Sequence, residues 1–200
     1  VSPEPFTDKP GAANLAFGVE EGFVNAVPFL NAGDVHKWVT GVFSDGDYAE
    51  AHQLIETSKP GSNGVLCLPY LVGERFPVMN PNIRGAYVGL DPDTAKADMM
   101  RAALEGVAFS IRQGMESFDA KPTEISLIGG GARENAWCRF WPMCWSIPSK
   151  CSPMPIFCQQ WQWPRWYSMY QTCCNQYANA LYTSRILTPH AHMPTHTGDS

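Results

Sequence analysis

Between Gly85 and Glu105 the chain reads Gly-Ala-Tyr-Val-Gly-Leu-Asp-Pro-Asp-Thr-Ala-Lys-Ala-Asp-Met-Met-Arg-Ala-Ala-Leu-Glu, and this run constrains the fold more than any other. Small residues around Tyr87 suit the edge of a strand, and Asp91-Pro92-Asp93 suits a short turn. Beyond Asp93, the apolar residues Met99, Met100, Ala103, Leu104, Val107, Ala108, Ile111 and Met115 recur at spacings of three and four. That period predicts a helix with one continuous apolar stripe. Asp93 or Thr94 is the expected N-cap, and Gly114 weakens the far end.

The flanking segments alternate in type. Val1 to Gly11 is Pro-rich and reads as irregular, while Ala16–Val24 and Ala26–Leu30 suit short strands or a strand leading into a helix. Asp34 can cap a helix through Trp38 to Val42, and Asp47–Glu56 is a second helix. The turn chemistry of Ser58–Gly64 predicts a loop, followed by a buried strand from Val65 that stops at Pro69. Glu124–Ile128 reads as a short strand, and Gly129-Gly130-Gly131 turns it into a helix starting near Glu134. Strands alternating with helices indicate an α/β domain.

Composition narrows the function and also divides the chain. A net charge of -5 argues against a nucleic-acid partner, which calls for a basic surface. No run of eighteen apolar residues is present, so no membrane partner is expected, and the N-terminal residues do not read as a signal peptide. The expectation is a soluble, cytoplasmic protein. Near Trp141 the character changes: 16 of the 17 glycines and 18 of the 19 acidic residues precede it, whereas five of the seven cysteines follow. A single folded domain does not normally divide its residues in this way.

The Gly85–Glu105 run resembles the second signature of the FGGY carbohydrate kinases through Gly85, Tyr87, Gly89, Leu90, Asp98, Met99, Ala102, Ala103, Leu104 and Glu105. The resemblance implies the C-terminal, nucleotide-binding half of an ATP-dependent sugar kinase, with the ribonuclease H-like fold of the actin-like ATPases. Leu127–Trp137 is similar to the family's adenosine motif, which implies that Gly130, Gly131 and Asn135 line the adenine and ribose pocket. Asn135 alone would equally serve as a helix cap. Asn31–Trp38 resembles the segment facing the ATP phosphates, which places Gly33 and Lys37 there. A solvated helix lysine is the competing reading of Lys37, and His36 reads as structural. A glycine-rich turn before a helix suits an anion because free N–H groups and the helix dipole face it.

Leu68–Pro77 is similar to a Pro-Tyr-Leu-x-Gly-Glu-Arg-x-Pro segment typical of xylulokinases. Glu74 and Arg75 can be read as a catalytic acid and a phosphate clamp, but the expectation is an internal ion pair shaping that loop, with Asn80, Asn82 and Arg84 also structural. Implied by the family are ATP and Mg²⁺, a sugar substrate (xylulose, with gluconate as alternative) and a homodimer of the full-length parent. The family's base, an Asp of a Gly-Gly-Asp type motif, is expected upstream of this chain, so no catalytic residue is assigned here. The isolated chain is expected to be inactive, and a non-catalytic nucleotide-binding remnant of a damaged gene is a further alternative.

Residues 1–140 thus read as a partial kinase domain and 141–200 as something foreign to it. Cys144, Cys151 and Cys158 recur every seven residues, with His190, His192 and His196 beyond, but no Cys-x-x-Cys pair supports a metal site. A disulfide-rich secreted module conflicts with the kinase body. One permissible set of codons for Phe140 to Pro164, read in a shifted frame, encodes LADVLEHPIEVLPDADILPAMAMA, which resembles the family's own continuation. The tail is therefore expected to be an out-of-frame, disordered segment.

Overall fold

A computed structural model describes residues 4–5, 11–16, 22–116, 118, 127–145 and 167–176 of the 200. In chain order the elements are β1 (Ala13–Ala16), β2 (Phe23–Ala26), α1 (Gly33–Ser44), α2 (Tyr48–Thr57), β3 (Leu66–Leu68), β4 (Ala86–Val88), α3 (Lys96–Glu116) and α4 (Asn135–Trp145). One-turn 3-10 segments at Ser62–Gly64 and Gly130–Arg133 precede β3 and α4. β1 and β2 pair antiparallel with Ala13 opposite Ala26, and β3 and β4 do so with Leu66 opposite Val88. Residues 17–21 and 119–126 lie outside the described set, and with them most of the strand expected at Glu124–Ile128.

The long helix sits at the centre. Instead of a single apolar stripe, α3 is buried on every side from Met100 to Ser110. Met100, Ala103, Leu104 and Val107 meet Val35 and Val39 of α1, Ala51 and Ile55 of α2, and Ala136, Trp137 and Phe140 of α4. Ala108 and Phe109 meet Leu66, Leu68, Tyr70 and Ile83 on another side. Small residues make that encirclement possible. A Cβ on Gly106 would run into the Cys67 carbonyl oxygen, so β3 lies directly on the helix backbone.

Two buried carboxylates pin the loop between α2 and β3 to this helix. Asp98 accepts from Ser58 Oγ (2.6 Å) and Asn63 Nδ2 (2.7 Å), and its other oxygen accepts the Ala95 N–H at 3.0 Å. That last bond is the return arm of a capping box, so α3 is capped from within. Asp93 and Thr94 are not the caps: Asp91 takes the Asp93 N–H (3.0 Å) and the Thr94 hydroxyl (2.9 Å) in a local turn. About two turns on, Glu105 accepts from Arg101 Nε (2.6 Å), Ser62 Oγ (3.0 Å) and Gly61 N–H (3.2 Å). Arg101 also donates to the carbonyls of Ile55 and Ser58 and lies over the Phe140 ring. Burial pushes the Glu105 carboxyl above its ordinary value, while Arg101 and the hydroxyl pull the other way.

Within the tail, residues 167–176 form a helix against the outer side of α3. Tyr170 meets the Tyr70 hydroxyl at 2.8 Å, Cys174 Sγ lies 3.2 Å from that oxygen, and Tyr167 donates to Glu116 at 2.6 Å. The sequence expectation for this stretch is an unstructured tail. Its order follows from Tyr167, Tyr170 and Cys174 falling on one helical face, enough to bury a stripe. Residues 146–166 and 177–200 lie outside the described set, and so do Cys151, Cys158 and the three tail histidines.

Exchanging a helical glycine for alanine ordinarily stabilises by about 0.5–1 kcal/mol. Gly106→Ala should do the opposite, lowering stability by about 1–3 kcal/mol through the collision with the β3 backbone. Urea denaturation followed by circular dichroism measures the sign, and a stabilised variant would contradict this packing.

Candidate functional site

Helix α1 begins without a side-chain cap. Ala32 occupies the cap position and makes no such hydrogen bond, and Asp34, the expected cap, lies in the first turn instead. The first N–H groups of the helix are therefore free of side-chain acceptors, and the dipole adds partial positive charge there. The helix start is held in place from below. Asn31 is buried, donating to the Gly73 carbonyl (2.6 Å) and accepting from the N–H groups of Leu71 (2.8 Å) and Val72 (3.4 Å). Glu74 completes this anchor by accepting from Leu30 N–H (2.8 Å), Arg75 N–H (2.8 Å) and Asn31 Nδ2 (3.0 Å).

Glu74 and Arg75 do not form the expected ion pair. The carboxylate is buried and satisfied by backbone and amide donors, whereas the Arg75 side chain is exposed. Asn80 and Arg84 serve the same loop. Asn80 accepts the Asn82 N–H (2.9 Å), and Arg84 donates to the carbonyls of Pro81 (3.0 Å) and Ile83 (2.7 Å).

Facing α1 is the glycine turn before α4. Gly129 has φ 100° and ψ -170°, a conformation open essentially to glycine alone. A Cβ on Gly131 would lie 2.5 Å from Trp137 Cζ3, so the turn rests on the indole ring. Glu134 Oε1 accepts the Ala136 N–H (3.0 Å) and thereby caps α4, a task the sequence also left open to Asn135. Asn135 itself is exposed.

Between these walls lies a cavity of about 760 Å³ lined by residues of α1, α2 and the glycine turn. Gly33, Lys37, Gly130, Gly131 and Asn135, the five residues singled out in the sequence, all border it. Asp34, His36, Tyr48, His52, Arg133 and Glu134 join them. Its volume falls in the range of cofactor sites, about 300–1,000 Å³. Lys37 and Arg133 supply cations, and the free end of α1 supplies N–H donors.

His36 is buried, 6% exposed, with the Tyr48 and Trp137 rings edge-on at 5.4 and 5.7 Å. Burial pushes its imidazole below the ordinary value, against a smaller upward pull from Glu134. Among the described residues its Nε2 has no hydrogen-bond partner. His52 reaches Glu134 across 2.7 Å, which ties α2 to the glycine turn. No motif pointed to either histidine as a cavity residue.

Among the described residues no group of three His, Cys, Asp or Glu is placed to hold a metal. The cavity's carboxylates are Asp34, which is exposed, and Glu134, which is already engaged. These residues do not make a Mg²⁺ cage, which leaves the phosphates of a nucleotide as the chief ligands for such an ion.

The description of the FGGY family of carbohydrate kinases, C-terminal domain, matches residues 2–144. A xylulose kinase of Staphylococcus xylosus is 38% identical over 112 residues, covering 54% of this chain and 23% of that protein. A gluconokinase of Bacillus subtilis is 33% identical over 149 residues, covering 67% of this chain and 29% of its own length. In structure, a xyloylose kinase from Brucella ovis superposes with a TM-score of 0.66 at 22% identity, over 89% of this chain and 43% of that one. The chain belongs to the FGGY family, spans less than a third of these curated relatives, and has the ribonuclease H-like α/β fold. Among the described residues no helix is long and apolar enough to cross a membrane.

The buried imidazole of His36 carries a pH signature. Its folded value lies below the ordinary 6.5, so as pH falls through that value the unfolded chain takes up a proton the folded one refuses. Stability should therefore decline as the pH drops below about 6.5 and level off beneath the folded value. His36→Leu should flatten that decline, which thermal melts across the pH series measure.

Proposed function

We propose that this chain is the nucleotide-binding portion of an ATP-dependent sugar kinase, of which D-xylulose is the preferred acceptor and gluconate the alternative. The parent reaction is ATP plus D-xylulose giving ADP plus D-xylulose 5-phosphate. One observation carries the reading: the two glycine segments, separated by nearly a hundred residues, border one cavity in a chain of this family. Gly33 and Lys37 take the phosphate side, and Gly130, Gly131 and Asn135 take the adenine and ribose.

Each assignment has a physical basis. The uncapped start of α1 offers N–H groups to phosphate oxygens, and Gly33 has no atom within 4 Å of where a side chain would begin. Lys37, one turn further on, offsets the charge that builds on the transferred group. Opposite, the bare edge of Gly130 leaves room for a flat base, and Asn135 is exposed beside it. Mg²⁺, when bound on the phosphates, neutralises charge between β and γ oxygens.

Phosphoryl transfer requires positioning of both reactants and a residue to take the acceptor's proton. Of the cavity's two carboxylates, Asp34 stands exposed in the first turn of α1, and Glu134 is engaged by His52 and the Ala136 N–H. The chain should therefore hold nucleotide without turning over sugar. Residues 141–200 are, in this reading, translated out of frame, supported by the shift in composition and the shifted-codon likeness. The family match at residues 2–144 accords with such a boundary.

Isothermal titration should show saturable ATP binding, and Lys37→Ala should weaken it by about tenfold, the value of one charge-assisted contact. Absence of saturable binding would make the chain an inert remnant. A coupled assay with xylulose and with gluconate should register no turnover; measurable turnover by either would show that a base is present after all. Sequencing the gene across the Phe140 codon should reveal a single-base insertion or deletion, and an uninterrupted frame would refute that account of the tail.

A further inference from the structure

His52 stands on α2, on the wall of the cavity between the two glycine segments. Its Nδ1 lies 2.7 Å from Glu134 Oε1. A carboxylate only accepts, so in the neutral ring Nδ1 carries the hydrogen and Nε2 keeps the lone pair. Glu134 is well placed to fix this arrangement. It is 7% exposed, and the same oxygen takes the Ala136 N–H, which locks the carboxylate to the start of α4. A carboxylate on one ring nitrogen fixes the orientation of the imidazole and the tautomer of its neutral form. At 41% exposure it stays open to the cavity, and Nε2 has no hydrogen-bond partner among the described residues.

The rest of the cavity is rich in donors. Lys37, Arg133 and the first N–H groups of α1 all suit anionic oxygens. A nucleoside brings the reverse need, because its ribose hydroxyls and the exocyclic amine of adenine are donors. On the α2 wall, Nε2 of His52 is an acceptor held in a fixed orientation. We propose that His52, oriented by Glu134, is a nucleoside-recognising residue whose Nε2 accepts a hydrogen bond from a donor on the bound nucleoside. This rests on the cavity being a nucleotide site, and it adds a contact that neither glycine motif supplies. The pairing is made by residues 82 apart in sequence.

Calorimetric titrations of the full chain test it with four probes: ADP, 2′-deoxy-ADP, inosine diphosphate and inorganic tripolyphosphate. His52→Ala should bind ADP about five- to tenfold more weakly, while its affinity for tripolyphosphate stays within about twofold of the native chain. His52→Gln, which keeps a donor for Glu134 and an acceptor oxygen, should recover part of the loss. The penalty for the missing ribose hydroxyl, or the one for the missing amine, should vanish in His52→Ala, and whichever vanishes identifies the donor. Equal ADP affinity in His52→Ala and the native chain would overturn the proposal, as would both penalties surviving unchanged. Parallel losses for ADP and tripolyphosphate would also overturn it, by making His52 a support for the fold. A native chain that binds none of the four probes removes the nucleotide-site reading itself, an outcome separate from a native chain that binds while His52→Ala is indifferent.

Discussion

The buried pair formed by Arg101 and Glu105 is the constraint on which the rest of this structure depends. A charge taken out of water is tolerated only when its partners are supplied by the fold, and here they come from one short loop. Gly61, Ser62, Ser58 and the Ile55 carbonyl all contact this pair, so the descent from α2 into β3 has one acceptable path. That path sets β3 directly on α3 at Gly106 and orients α2 along the helix. Asp98 repeats the arrangement about two turns before Glu105 with Ser58 and Asn63. The two carboxylates belong to the run that most resembles the family signature, and their role in this chain is to build, at a distance from the cavity.

A second polar anchor carries that order to the cavity. Asn31 and Glu74 use every oxygen and the amide nitrogen to fasten the 71–75 loop beneath the start of α1. The helix can begin at Gly33 with no side chain capping its first N–H groups because the residues just before it are immobilised from behind. On the opposite wall, Trp137 supports Gly131 and Glu134 caps α4. Each wall is thus positioned by its own buried contacts, and the His52–Glu134 link ties the glycine turn to α2.

Helix positions and the glycine turns were legible in the sequence because they follow from local rules: period, turn residues and the stop at Pro69. The ends were less so. The start of α3 escaped the reading because Asp98 reaches back to Ala95, while Asp91, Asp93 and Thr94 satisfy one another. Encirclement of α3 was illegible for a different reason. A buried Arg101 and Glu105 look like a solvated face until the loop that satisfies them is in place. The contact between His52 and Glu134 joins two segments far apart in sequence, and nothing in either segment announces the other. Glu74 was misjudged for the same cause: a charged neighbour in sequence is a weaker predictor of a carboxylate's partners than the backbone brought to it by folding.

The strands are the least completed part of this architecture. Among the described residues β1 pairs only with β2, and β3 only with β4, so within that set each ribbon has an outer rim of backbone donors and acceptors with no strand beside it. A rim of this kind selects by direction and spacing and is indifferent to side-chain identity, accepting any extended segment laid alongside at about 4.8 Å. Within the described residues, then, what each ribbon offers on its outer side is a pattern of backbone groups, and an extended segment meeting it is matched by its spacing and its direction.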